Sequence, residues 1–192
     1  MPAPARFVLL LLTLALPAAA AEPGLYASFK LGTTDLEASF GGAFDQVIDG
    51  DDDSQAIEVG YRFSRHWAVQ AAYHELGTVP GTATPCDPQG VCQPVVTPIA
   101  ADSTAFSIAA VPQLPLGKRL SLFGKVGVAF WESDVGPTGA PATEPIPGAS
   151  GEDLIWGAGV RLAIFGPLEL FYEYEGIGDD FETQAFGATF QF

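Results

Sequence analysis

Basic residues are scarce in this chain: eight Lys and Arg stand against 23 Asp and Glu, giving a formal net charge of −15. So acidic a chain repels a phosphate backbone, which excludes nucleic acid as a partner. Cysteine is scarcer still, with only Cys86 and Cys92. Two thiolates are too few to close a structural zinc site. A local, even pair in an exported chain is instead expected to close a small disulfide loop around Pro88. Beyond the N-terminal segment there is no run of roughly 20 apolar residues, so no membrane-spanning helix is expected. A wall of short strands alternating in polarity remains open.

The N-terminus has the order of a secretory signal. Arg6 precedes the apolar run from Phe7 to Leu12, and small residues follow from Ala18 to Ala21. That order predicts an export signal over 1–21 and one mature domain over 22–192, because the apolar stretch is short for a bilayer span.

From Leu25 to the C-terminus the chain reads as eight segments of period-two alternation, separated by Gly, Pro and Asp clusters. The segments are Leu25 to Leu31, Ala56 to Phe63, Trp67 to Leu76, Thr104 to Val111, Leu120 to Trp131, Leu154 to Leu162, Leu168 to Tyr174 and Gln184 to Phe192. In each, one face is apolar and aromatic, as in Ile57, Val59, Tyr61 and Phe63. The opposite face is small, polar or charged, and it carries Lys30, Glu58, Arg62, Lys125, Arg161, Glu169, Glu173 and Glu175. A soluble ligand-binding barrel needs its apolar face inside. In lipid, a charged residue costs roughly 2–4 kcal/mol at the bilayer midplane, so here the charged face must be the lumen. The expectation is an all-β fold: an eight-stranded antiparallel transmembrane β-barrel whose polar lumen is largely filled by four basic and four acidic groups pairing with one another.

Connection lengths alternate as well. Short links near Ser64–His66, Pro112–Lys118 and Phe165–Pro167 read as periplasmic turns. Long ones at Gly32–Ser54, Gly77–Asp102 and Glu132–Asp153 read as outer loops. Arg65, Lys118 and Arg119 fall at the short turns, while the outer loops are acidic and hold no Lys or Arg. Trp67, Trp131, Tyr61, Tyr172 and Tyr174 are expected in aromatic girdles at the membrane interfaces.

Several stretches together resemble the OmpA-type family of eight-stranded outer-membrane barrels, which includes small OmpX-like members. They are Gly24-Leu-Tyr-Ala-Ser-Phe-Lys-Leu-Gly32, Val59-Gly-Tyr-Arg-Phe63, Leu116-Gly-Lys-Arg-Leu-Ser-Leu-Phe-Gly-Lys-Val-Gly127 and Trp156-Gly-Ala-Gly-Val-Arg161. Phe190 and Phe192 resemble the family's C-terminal aromatic signal to the outer-membrane assembly machinery. The resemblance implies residence in a bacterial outer membrane, reached by signal-directed export, with lipid and lipopolysaccharide as neighbours. It covers the barrel part of the family only, so the peptidoglycan-anchoring task of its longer members is not implied.

Candidate chemistry is sparse. Catalysis by a Ser and a His needs a third group to hold the base. Ser64 and His66 sit in a predicted turn with no acidic residue nearby in sequence, and His74 points into the lumen near its outer rim, with Ala72 two residues away. The chain is therefore read as non-enzymatic, without a cofactor. Asp49, Asp51, Asp52 and Asp53 offer oxygens for a loosely held divalent cation, perched where it would bridge to lipopolysaccharide. Their spacing departs from the EF-hand loop, which wants Gly where Ser54 stands and Glu where Gly60 stands. The functional expectation is a small barrel that supports envelope integrity or presents acidic loops to a surface partner. A low-conductance pore, an adhesin and a lipid-modifying enzyme are its rivals.

Overall fold

The computed structural model describes residues 23–40, 44–86, 96–138 and 148–192. The expected signal over 1–21 and the expected Cys86–Cys92 bridge, through Cys92, lie outside them.

Eight antiparallel strands close into a barrel in chain order: β1 (Gly24–Phe40), β2 (Phe44–Ser64), β3 (Trp67–Pro85), β4 (Thr97–Pro115), β5 (Leu120–Pro137), β6 (Ala149–Phe165), β7 (Leu168–Ile177) and β8 (Phe181–Gln191). Closure comes from β1 pairing with β8, with Tyr26 opposite Gln191 and Leu36 opposite Phe181. Through the lipid-facing zone each strand is paired on both sides, which a lipid-exposed sheet requires.

The strands are much longer than the alternation predicted. A transmembrane strand needs about 9–11 residues, and β7 has 10, but β2 has 21 and β3 has 19. The segments expected to be long outer loops are mostly strand: β1 continues to Phe40 and β2 begins at Phe44. The physical reason is an inversion of polarity along single strands. In the lower part of β1, Leu25, Phe29 and Leu31 face outward and Tyr26, Ser28 and Lys30 face inward. Above Gly32 the outward residues become Thr33, Asp35 and Glu37, while Leu36 and Ala38 point in. β5 does the same, changing from outward Val128 and Phe130 to Glu132 and Asp134. The outward face is apolar where lipid surrounds it and acidic where water does. The inward face is charged in the first zone and apolar in the second.

An aqueous head therefore rises from the membrane zone with its own small core. Leu36, Ile48, Val79, Ile99, Ala101, Trp131, Ile155 and Phe181 pack together there. The boundary carries a β-bulge in β3, where the register against β4 shifts between Glu75 and Thr78. Gly77 sits in the bulge at φ +89°, and a Cβ there would lie 2.8 Å from Asp52 Cβ. The site thus requires glycine on both conformational and steric grounds. At the opposite end, Tyr26, Ala68, Val111, Phe123 and Phe171 form a second interior cluster, packed against Arg62 and Arg161.

Candidate functional site

Strand parity turns all eight of the charged residues singled out above toward the interior, and register then divides them into two layers. In the upper layer, Lys30 from β1 lies 2.9 Å from Glu175 Oε1, 3.1 Å from Glu173 Oε2 and 3.4 Å from Glu58 Oε1. Lys125 from β5 reaches the same three acids, at 2.6 Å to Glu175 Oε2, 2.8 Å to Glu173 Oε1 and 3.0 Å to Glu58 Oε1. All five side chains are almost completely buried. Such burial is tolerable only because every charge has opposite charges within hydrogen-bonding reach. The three carboxylates are near enough to one another to ligate a metal, but the two ammonium groups occupy that role.

In the lower layer, Arg62 and Arg161 share one carboxylate oxygen. Arg62 Nη2 donates to Glu169 Oε2 at 2.9 Å, and Arg161 Nε lies 3.5 Å from the same atom. Arg62 Nη1 also donates to Gln191 Oε1 at 2.6 Å. Arg161 stacks on Phe123, its Cζ 4.6 Å from the ring centroid, while its Nε and Nη1 have no hydrogen-bond partner. The upper layer sets two lysines against three glutamates and the lower sets two arginines against one. The opposite excesses leave these eight groups formally neutral together.

Polar pairs fill the remaining interior. Ser28 bonds Thr189 at 2.9 Å, Thr34 bonds Thr183 at 2.7 Å, and the Tyr26 hydroxyl donates to Gln70 Oε1 at 3.0 Å. Tyr26 lies over Gly60, where a Cβ would come within 2.3 Å of the tyrosine Cζ. The void beside Lys30, His74 and Ala185 holds about 10 Å³, room for one water at most.

One constellation escapes a reading along the chain. His74 Nε2 lies 2.9 Å from Ser107 Oγ, and its Nδ1 lies 3.4 Å from Glu175 Oε1. This is the spatial order of a nucleophile, base and orienter. Ser107 is 33 residues from His74 in sequence and diagonally across the β3–β4 ladder. The only cue in the sequence was that both belong to lumen-facing parity. All three residues are at most 2 % exposed, and Glu175 is already held by both lysines. Ser107, His74 and Glu175 thus form an enclosed array inside the lumenal charge network. At the β2–β3 turn the His66 N–H donates to Ser64 Oγ at 3.2 Å, and the His66 ring faces the Gln113 carbonyl at 3.3 Å.

Two expectations need correction. Trp131 is not in a girdle. It falls on the inward parity of β5, is 8 % exposed, and donates Nε1–H to Asp153 Oδ2 at 2.6 Å. Trp67 and Trp156 do face outward. The four aspartates of β2 do not converge either, because the pleat sends Asp52 to one face and Asp49, Asp51 and Asp53 to the other. Asp52 Oδ2 accepts the Thr78 N–H at 2.7 Å and so closes the β3 bulge. That bond, with one from the Asp53 N–H, holds its carboxyl below the usual carboxylate range. Asp49 and Asp51 line an outer cleft of about 530 Å³ with Asp35, Glu37, Asp180 and Glu182. At its edge, partial burial and the neighbouring Asp153 and Asp179 push the Asp180 carboxyl up. Phe190 and Phe192 face outward at the lower rim, their ring centroids 5.3 Å apart.

The family model for the outer membrane protein beta-barrel domain matches residues 7–192. The chain belongs to that family. Members of the outer membrane protein beta-barrel domain family reside in bacterial outer membranes, and this barrel's lipid-facing belt suits that location. Among solved structures, Ail of Yersinia pestis, in complex with the heparin analogue sucrose octasulfate, is 17 % identical with a TM-score of 0.52, over 88 % of this chain and 99 % of its own. Neisserial surface protein A is 14 % identical with a TM-score of 0.55, over 88 % and 97 %. The N-terminal barrel of Pseudomonas aeruginosa OprF is 13 % identical with a TM-score of 0.53, over 89 % and 100 %. At such identities the likeness is one of fold. No curated protein matches the sequence.

Proposed function

We propose that this outer-membrane barrel is a non-conducting, non-enzymatic platform that holds an acidic head above the membrane for a cationic surface partner. The observation that carries the reading is the polarity inversion along the strands. It raises an apolar-cored head whose outer wall bears Asp35, Glu37, Asp49, Asp51 and Glu182 and no Lys or Arg. Below it the doubly bonded Lys30–Lys125–glutamate layer closes the lumen, which argues against a pore. Such a wall repels polyanions, so a sulfated ligand like the one bound by Ail is disfavoured here and a basic peptide or protein is favoured. Lipopolysaccharide phosphates pack beside these carboxylates only with divalent cations between them, a loose bridging role. Phe190 and Phe192 serve in this reading as the handle for the assembly machinery, and the barrel adds to envelope integrity as an inserted body.

The test is binding of labelled polylysine and of a sulfated polysaccharide to the purified barrel. Polylysine should bind at low ionic strength and lose most of its affinity when Asp35, Glu37, Asp49 and Asp51 are made amides. Preference for the polyanion, or stepwise ion currents in planar bilayers, would refute the proposal.

A further inference from the structure

The seven basic residues from Lys30 onward are distributed without exception: four lie in the lumen, and the other three meet in one cleft. Arg65 of the β2–β3 turn and Lys118 and Arg119 of the β4–β5 turn line a cavity of about 130 Å³ at the periplasmic mouth, with Gln113, Ser121 and Glu169. In a chain with a net charge of −15, this is a strong local reversal of sign.

A second observation marks the cleft as more than a charged rim. Gln113, on the inward parity of β4, is 8 % exposed, and its Nε2 has no hydrogen-bond partner. A buried amide donor left unpaired is costly unless something accepts from it. The one acid in the wall, Glu169, offers little opposition, because its Oε2 is engaged by both Arg62 and Arg161. The cleft thus joins two guanidinium groups, an ammonium, an amide N–H and the Ser121 hydroxyl around a volume fit for a tetrahedral oxyanion. Guanidinium groups favour such ligands because their fork of donors matches paired oxygens.

We propose that the periplasmic mouth is a phosphate-group site, held by Arg65, Lys118, Arg119 and Gln113. The phosphate has two sources: free inorganic phosphate in the periplasm, or the headgroup of an anionic phospholipid in the inner leaflet. For the second, Leu120 and Leu116 at the same turn, 42 % and 49 % exposed, offer apolar surface for an acyl chain.

The experiment uses the barrel extracted from outer membranes into maltoside micelles, with folding checked by heat-dependent gel mobility. Inorganic phosphate is titrated with ³¹P line broadening as the readout, and retention of added phosphatidylglycerol is counted by native mass spectrometry. The Arg65→Gln/Lys118→Gln double variant changes only exposed turn positions. It should weaken binding roughly tenfold or more, as expected for the loss of two charge-assisted contacts. Gln113→Leu should weaken it severalfold. Phosphate binding that phosphatidylglycerol displaces assigns the site to the shared group. Retention of lipid alone, lost in the double variant, assigns it to the headgroup, and phosphate binding alone assigns it to the free ion. Absence of both, or binding equal in all variants, overturns the proposal. Polylysine binding at the outer head is unaffected by these substitutions, so failure here is separable from failure of the display reading.

Discussion

Lys125 Nζ and Glu175 Oε2 lie 2.6 Å apart in the middle of the barrel, with both side chains 2 % exposed. They come from β5 and β7, which are not neighbours in the sheet. The contact therefore spans the lumen and ties non-adjacent walls together.

Removing one partner of such a pair strands the other in a dry interior. Lys125→Met should destabilise the barrel by about 3–5 kcal/mol, since three glutamates then depend on Lys30 alone. Arg161→Leu should cost less, about 1–2 kcal/mol, because Glu169 keeps Arg62 at 2.9 Å and Arg161 contributes mainly its stacking on Phe123. Urea unfolding of the refolded barrels tests the order, and an Arg161→Leu cost equal to or above that of Lys125→Met would contradict it.

The close approach of Tyr26 to Gly60 leaves no room for a side chain at that glycine. Gly60→Val should cost about 1–3 kcal/mol through overpacking. Tyr26→Ala in the same chain should recover part of that loss, a coupling that a double-mutant cycle would detect. Strictly additive effects would mean that the two sites do not touch.

Interior and lipid-facing tryptophans can be separated directly. Among variants that retain one tryptophan each, brominated lipid should quench Trp67 and Trp156 and spare Trp131. Strong quenching of Trp131 would place it back in an interfacial girdle.

At the head, the Asp52 carboxylate accepts from the Thr78 bulge amide. Because the folded state lowers its pKa, its contribution is present above the unfolded value and disappears as pH falls through the lower folded one. Asp52→Asn should therefore raise hydrogen exchange at Thr78 at neutral pH, with the difference from wild type shrinking in acid. A difference that grows on acidification would reverse the assigned role.

Period-two alternation by itself determined that eight strands cross the membrane and which face of each meets lipid. A charge costs kilocalories in hydrocarbon, so the sign of the alternation is fixed locally, residue by residue. It also fixed the inward direction of Lys30, Glu58, Lys125 and Glu175, since parity needs no partner to define it. The same logic hid the head. Above Gly32 the solvent outside is water, the alternation changes phase, and Asp-rich strands read as loops. Trp131 was misplaced by residue type although its parity pointed inward. Only the closed tertiary structure decided which charges meet, that Ser107 touches His74, and that Arg65, Lys118 and Arg119 share one mouth. Those neighbours are set by cross-strand register and barrel closure, which bring together positions tens of residues apart and leave no periodic trace in the chain.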